Sequence, residues 1–292
     1  MTAALDNAGL DYDLKVLGYR GQAKQEAISL SAAGYDAVIA AGGDGTVHEI
    51  VNGLSVAAGD GPTIPIGLLP LGTGNDFSDM AGLPRDLVAA CKVIAAGNIR
   101  QVDAGWVSYS ADNGNGDKQK VWHGRFFDNN CAVAMEPVVT MEVNSLKRLT
   151  GNLRYIVAVI RCLKKMESWF MQISWDGGGY EGPTYLLSVA NSPRTGGQFM
   201  VAPNARIDDG AFDYVCAPKM PMRRVLAILP GLLKGTHVQH PEILTGRTCQ
   251  LRVLSKPGTP IHADGEVVTT LATEVHYQVM PGKISLIAPK SI

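Results

Sequence analysis

The stretch Gly42-Gly43-Asp44-Gly45-Thr46-Val47-His48-Glu49-Ile50-Val51-Asn52-Gly53-Leu54 decides the fold of the first part of the chain. It follows the apolar run at residues 37–41, which reads as a buried strand. Thr46 and Glu49 have capping-box spacing, and Val47, Ile50, Val51 and Leu54 share a helical face. The pattern is strand, glycine-rich turn, helix. Glycines let a backbone come close to a ligand, and amides at a helix start favour phosphate. Asp44 is the odd member, because a carboxylate beside phosphate is repulsive unless a metal ion or a proton transfer requires it.

A second unit of the same kind lies downstream. The apolar run at residues 64–70 leads into Leu71-Gly72-Thr73-Gly74-Asn75-Asp76-Phe77. Loops at the carboxyl ends of parallel strands share one edge of the sheet. Asp44 and Asp76 are therefore expected to face a common cleft, with Thr73 and Asn75 supplying neutral hydrogen bonds. Two acids beside phosphate loops point to Mg2+, a hard ion with oxygen ligands. Either loop alone is equally readable as a plain turn with Asp and Asn as turn formers; finding both, each after a strand, weakens that reading. Neither is a P-loop, because no Gly-Lys-Ser/Thr follows, and neither fits the dinucleotide GxGxxG pattern.

GGDGTVHEIVNGL followed by PLGTGNDFS resembles the diacylglycerol kinase catalytic domain, in the bacterial lipid-kinase branch related to sphingosine and ceramide kinases. Three later segments fit the same pattern: GGQFMVAPNARIDDG at 196–210, HADGE at 262–266 and PGKISLI at 281–287. GGDGT by itself is shared with NAD kinases and phosphofructokinases. The resemblance implies that Gly42, Gly43, Asp44, Gly45, Thr46, Val47, His48 and Glu49, with Gly72, Thr73 and Asn75, bind the phosphates of ATP. It implies that Asp44 and Asp76 organise Mg2+ through water, and that Asp264 and Glu266 activate the lipid hydroxyl. Asp209, with the backbone carbonyls of Arg206 and Ala211, would hold a second, structural Mg2+. The chain departs from the pattern at its start. Met1 opens on what reads as the tail of the first helix, with Gly9 as its stop, so the family's first strand and its Asn-Pro-x-Ser/Ala-Gly loop are expected to be missing. Leu17 stands where the family often has Thr, and His48 where Asn is common.

Composition bounds the alternatives. A length of 292 residues makes two domains the natural prior, and 46% hydrophobic against 18% charged residues supplies a sizeable core. A net charge of −1 argues against a nucleic-acid binder. Cys91, Cys131, Cys162, Cys216 and Cys249 are odd in number and form no CxxC pair, as expected of thiols in a reducing compartment. With no run long enough to span a membrane and no signal sequence at Met1, a cytoplasmic protein is expected. Peripheral contact with the inner membrane face and a homodimer are both compatible with this reading.

Residues 10–103 alternate between strand and helix: a strand at 13–17, a helix at 22–33, the two strand–loop units, and a helix at 85–96 stopped by Gly97. Alternation argues for an open, mostly parallel sheet of the phosphofructokinase or NAD-kinase type, occupying residues 1–104 as a nucleotide-binding α/β kinase domain. Beyond the polar cluster at 111–117, strand-like runs at 171–175, 184–189, 212–216, 250–254 and 274–279 indicate an antiparallel β-sandwich. Residues 105–292 are thus expected to form a β-rich lipid-substrate domain, with the last strand returning to the first domain. A helix is expected at 144–165, with Leu146, Leu149, Leu153, Ile156, Val157, Ile160 and Leu163 at helical spacing. It carries Lys147, Arg148, Arg154, Arg161, Lys164 and Lys165 and no acid. Such a helix either lies on an anionic membrane surface or packs on the core with a solvated basic face.

Phosphoryl transfer needs a phosphate cradle, a metal and an acceptor for the hydroxyl proton. Asp264 is the first choice as acceptor, Glu266 the second and Asp44 the third. Asp264-Gly265 is also the commonest hairpin signal. The six histidines form no zinc constellation, and no GxSxG elbow supports a hydrolase. The expected activity is ATP- and Mg2+-dependent phosphorylation of a lipid hydroxyl, with diacylglycerol as substrate. The alternatives are another lipid, NAD, or a non-catalytic nucleotide- or lipid-binding protein.

Overall fold

A computed structural model describes residues 1–111, 120–146 and 151–289, the side chains of residues 151 and 152 excepted. Most of the polar cluster at 111–117, together with Lys147, Arg148 and Leu149, lies outside the described residues. The chain divides into two compact units. One comprises Met1–Ala104, Ile207–Asp209 and Met280–Ile292, and the other Gly105–Arg206 and Gly210–Val279.

The first unit opens with α1 (Thr2–Asn7) and α2 (Gln22–Ser31), followed by β1 (Val38–Gly42), α3 (Asp44–Ala57), β2 (Ile66–Pro70), α4 (Asp76–Met80) and α5 (Leu87–Ala96). It also holds the start of β3 (Ile99–Ala111). β2 is buried along its whole length, which is why its sequence is a continuous apolar run rather than an alternating one. Leu5 from α1 and Ala90, Cys91 and Ile94 from α5 pack with Leu69 of β2 in one cluster. α5 begins where the Asp86 side chain accepts from the Ala89 N–H at 2.9 Å and stops at left-handed Gly97. β1 pairs with β2 in parallel from Val38↔Ile66 to Gly42↔Pro70. That register sets the ends of the two strands side by side, and with them the loops that follow.

Two expectations change here. Residues 13–17, Leu17 included, form no strand; Leu14 and Val16 are 51% and 84% exposed. Among the described residues no strand lies alongside to complete a ladder, and an extended segment without a partner bonds its backbone to water instead. The helix expected at 144–165 is two helices, α6 (Met135–Ser145) and α7 (Gly151–Lys164). Leu146 leaves helical geometry at ψ 57°.

The second unit contains the rest of β3 with β4 (Trp122–Phe127), β5 (Asn130–Ala134), α6, α7, β6 (Trp169–Trp175) and β7 (Gly178–Ala190). β8 (Phe212–Pro218), α8 (Met222–Ile228), two short 3-10 turns (Leu229–Leu233, Thr236–Gln239), β9 (Leu244–Thr248), β10 (Gln250–Ala263) and β11 (Glu266–Ile287) follow. β10 and β7 are long strands, and β5 and β6 each pair antiparallel with both. Their inward side chains, among them Val133, Leu187, Val253 and Ile261, are wholly buried in one core with Phe212 of β8. β11 pairs antiparallel with β10, then runs into the first unit, where Leu286 lies parallel to Ile66 of β2.

Candidate active site

In the first unit the two glycine-rich loops touch through backbone. A Cβ on Gly72 would stand 2.4 Å from Gly43 Cα, and one on Gly43 would stand 3.0 Å from Gly72 Cα. These glycines are required by each other. Gly45 differs: it is exposed, and a Cβ there would meet nothing within 4 Å. Its bare face is available to a ligand at the first turn of α3, where helix amides lack internal acceptors.

Asn75 staples the second loop. It sits in the left-handed region at φ 56°, its Oδ1 accepts from Gly72 N–H at 3.0 Å, and its Nδ2 donates to the carbonyls of Gly72 at 2.8 Å and Pro70 at 3.3 Å. Its own N–H donates to Asp44 Oδ2 at 2.8 Å. The amides of Asp76 and Phe77 also point at Asp44, so the first turn of α4 holds that carboxylate. Burial nevertheless raises the Asp44 pKa above the ordinary aspartate range, and the neighbouring Asp76 charge adds to the rise; the three amides oppose it. Asp44 and Asp76 thus come together, and a hard divalent cation is the group whose charge would relieve their repulsion. Thr73 stands exposed beside them.

The rest of the first motif is placed as follows. α3 starts at Asp44 with Gly43 as its cap residue, three residues before a capping box with Thr46 as the cap would begin it. Thr46 packs over Gly42, where a Cβ would stand 2.4 Å from its Oγ1. Glu49 reaches the neighbouring helix, accepting from Gly21 N–H at 2.7 Å and Ala23 N–H at 3.1 Å at the start of α2. Val47 and His48 are buried, and Asn52 Nδ2 bonds the His48 carbonyl at 2.9 Å. The sequence reading missed Arg85, whose guanidinium donates to both oxygens of Asp79 and to the Gly74 carbonyl, fixing the second loop from outside.

In the second unit Asp264 and Gly265 form the two-residue hairpin between β10 and β11, with φ values of 48° and 77°, as a type I′ turn requires. Asp264 Oδ1 accepts from the N–H groups of Asn129 and Asn130, each at 2.9 Å, and Oδ2 from Asp128 N–H at 3.0 Å. The carboxylate is therefore positioned by backbone. Glu266 pairs with Arg125 of β4 at 3.5 Å. Arg206 and Ala211 belong to this unit and Asp209 to the first.

A buried polar chain leads away from the hairpin. Gly265 N–H donates to His262 Nδ1 at 3.1 Å, so the neutral ring carries its proton on Nε2, which faces Glu136 Oε1 at 3.3 Å. The same oxygen accepts from Asn130 Nδ2 at 2.7 Å. Burial pushes the Glu136 carboxyl up, but His262, Asn130 and Ser188 together hold it below the ordinary range. Its second oxygen is buried with no hydrogen-bond partner among the described residues. Glu136 also lines an apolar cavity of about 190 Å³, walled by Val159, Leu163, Tyr185, Val215, Val225 and Ile228. No sequence pattern marked Glu136, because its partners come from β5, β7 and β10.

Residues 1–107 match the family described as the diacylglycerol kinase catalytic domain, and residues 130–288 match the YegS C-terminal NAD kinase β-sandwich-like domain. A diacylglycerol kinase of Staphylococcus aureus (strain bovine RF122 / ET3-1) is 28% identical over 264 residues, covering 90% of this chain and 78% of that protein. The crystal structure of a diacylglycerol kinase from Bacillus anthracis str. Sterne superposes with a TM-score of 0.69 at 20% identity, covering 98% of this chain and 88% of the other. A second structure from that organism gives 0.77 at 24% identity, covering 99% and 89%. At these identities the structural likeness concerns the fold.

Proposed function

The chain belongs to the lipid kinases in which a diacylglycerol kinase catalytic domain is joined to a YegS-type C-terminal β-sandwich, and we propose that it transfers the γ-phosphoryl group of ATP to the free primary hydroxyl of diacylglycerol. The lipid oxygen bonds to phosphorus, the bond to the ADP oxygen breaks, and the hydroxyl proton passes to a carboxylate. The loop from Gly42 to Thr46, with Thr73 and bare-faced Gly45, supports triphosphate binding. Asp44 and Asp76 would hold Mg2+, which supplies charge neutralisation on the phosphates when bound. Arg206, Asp209 and Ala211 remain our proposed second, structural Mg2+ site.

Asp264 is assigned the proton and Glu266 the supporting role. An aspartate is too weak to ionise an alcohol in advance, but it accepts the proton as the new bond develops. Its three backbone N–H bonds hold it in place.

The observation that carries the lipid part is the apolar cavity with Glu136 in its wall. Apolar walls accept an acyl chain, and a buried carboxylate oxygen accepts a hydrogen bond from a lipid hydroxyl. Asn130 couples the two functions, its N–H on Asp264 and its side chain on Glu136. Purified protein with radiolabelled ATP and mixed-micelle diacylglycerol is expected to yield labelled phosphatidic acid, with NAD as the competing acceptor. Asp44→Asn is expected to lower the rate by about 10²-fold or more. Val159→Trp, which fills the cavity, is expected to abolish lipid phosphorylation while leaving ATP binding intact. Equal labelling of NAD, or full lipid activity in Val159→Trp, would overturn the reading.

A further inference from the structure

Two side chains in the wall of the apolar cavity carry buried polar atoms that lack hydrogen-bond partners among the described residues: Glu136 through Oε2 and His237 through Nδ1. His237 lies in the second 3-10 turn and is 4% exposed. Its Nε2 stands 2.9 Å from the Val201 carbonyl oxygen. A carbonyl can only accept, so a neutral ring carries its proton on Nε2 and leaves Nδ1 as a bare acceptor. Burial lowers the His237 pKa against the pull of the Val201 and Gly231 carbonyls, which keeps the ring neutral at neutral pH. The Gly231 carbonyl beside the ring also only accepts, and so gives Nδ1 no donor.

Glu136 presents the same chemistry from α6. Its carboxyl is held below the ordinary range, so it is ionised and both oxygens accept. Oε1 faces His262 and Asn130, whereas Oε2 has no donor. The cavity thus offers two acceptors, while much of its wall, Val159, Leu163, Val225 and Ile228 among it, is hydrocarbon. A water molecule on either acceptor would face mostly hydrocarbon, and a buried water needs about two to four polar partners. An acyl lipid suits the walls, and its own O–H or N–H groups suit the acceptors. Diacylglycerol brings one donor, its free hydroxyl, and leaves the other acceptor desolvated and unpaired, which weakens binding.

We propose that His237 is a specificity-determining residue of the cavity: Nδ1 receives a hydrogen bond from a second donor on the lipid, so acyl lipids that carry an O–H or N–H besides the reacting hydroxyl are preferred over those that do not. The second donor belongs either to the headgroup or to a hydroxylated acyl chain. This refines the lipid-kinase reading, on which it rests for the identity of the cavity's ligand. Diacylglycerol remains a substrate, bound with one acceptor unpaired.

The test compares kcat/KM of the full chain within two lipid pairs. Monodecanoylglycerol against its 2-O-methyl ether deletes one headgroup donor, and diricinoleoylglycerol against dioleoylglycerol adds a hydroxyl to each acyl chain. Wild type is expected to prefer the donor-rich member of at least one pair by about tenfold, and the pair that responds tells headgroup from chain. His237→Phe, which keeps a flat ring without the acceptor, is expected to treat both members alike within about twofold. His237→Gln, whose amide N–H can replace the bond to Val201 and whose amide oxygen can replace Nδ1, is expected to keep the preference. Each ratio is internal to one protein, so a partly unfolded variant still gives a valid answer. No preference in either pair, a preference that survives His237→Phe, or its loss in His237→Gln as well, which would mark a packing role, would overturn the proposal. Equilibrium dialysis of radiolabelled monodecanoylglycerol and its ether without ATP separates this from the kinase reading. A His237-dependent binding preference with no phosphorylation of any lipid would sink the kinase reading and leave the role of His237 standing; phosphorylation without that preference would do the reverse.

Discussion

Gly72→Ala and Gly45→Ala place the same methyl group in two loops with opposite consequences. At Gly72 the new carbon would stand 2.4 Å from Gly43 Cα, 3.2 Å from Gly43 N and 2.8 Å from Asn75 Oδ1. Carbon atoms prefer about 3.5–4.0 Å, so one backbone must retreat by more than an ångström. Two of the neighbours are backbone atoms at the head of α3, which cannot rotate away. The retreat strains the bonds from Gly72 N–H to Asn75 and from Asn75 N–H to Asp44. Overpacking costs about 1–3 kcal/mol, and each weakened hydrogen bond about 1 kcal/mol more, for a destabilisation of roughly 2–4 kcal/mol. At Gly45 nothing lies within 4 Å and the residue is helical, so alanine is expected to be neutral or to stabilise by about 0.5–1 kcal/mol. Urea unfolding reads both, as a shift of midpoint at constant slope. Calorimetric titration with ATP separates the roles: Gly45→Ala is expected to weaken binding about tenfold or more, since its methyl occupies the face assigned to phosphate. A Gly72→Ala protein as stable as wild type, or a Gly45→Ala protein that binds ATP normally, would refute the reasoning.

Two further outcomes follow from capping and charge. Glu49→Ala removes the carboxylate that accepts from Gly21 and Ala23, and should lower stability by about 1–2 kcal/mol in thermal unfolding; no loss would show those bonds to be incidental. Glu274, bonded to Lys120, Arg252 and His276, is nearly buried; burial pushes its carboxyl up, but these partners outweigh it and bring it down to about 2. A folded-state pKa below the unfolded value gives stability that is complete above the unfolded value of 4.5 and disappears as pH falls toward 2. The full shift corresponds to about 3 kcal/mol, which solvent screening of the half-exposed Arg252 and Lys120 reduces to roughly 1–2 kcal/mol. Glu274→Gln should therefore be less stable than wild type by that amount at neutral pH and equal to it near pH 2; a difference independent of pH would contradict the network.

Much of the fold is local enough to be legible in residues. Apolar runs at 37–41 and 64–70 became β1 and β2; β2 is buried along its length and needs no polar face, and β1 buries Val38 and Ala40. Asp264-Gly265 became a hairpin because two successive positive φ angles suit few other pairs. Gly9 and Gly97 adopt left-handed geometry past the helices they end. Where a decision needed a partner distant in sequence, the residues gave the wrong answer or none. Residues 13–17 alternate like a strand, yet pairing is supplied by a neighbour and not by the segment. Thr46 and Glu49 have capping-box spacing, yet Glu49 serves a helix whose start lies more than twenty residues earlier. The apolar periodicity at 144–165 ran across a break in the helix.

The sequence by itself determined the alternation of strand and helix, the two acid-bearing glycine turns and the β-rich second half, because each follows from propensity and spacing over a dozen residues. Only the tertiary structure decided that Gly43 and Gly72 exist for one another, that Asn75 holds its own loop, and that Asp264 is gripped by the Asp128–Asn130 amides. It also decided that Glu136, unremarkable in the sequence, stands in the wall of an apolar cavity. The physical reason is range: helix and turn chemistry is settled among near neighbours, whereas burial, carboxylate basicity and cavity shape depend on chain segments up to two hundred residues apart.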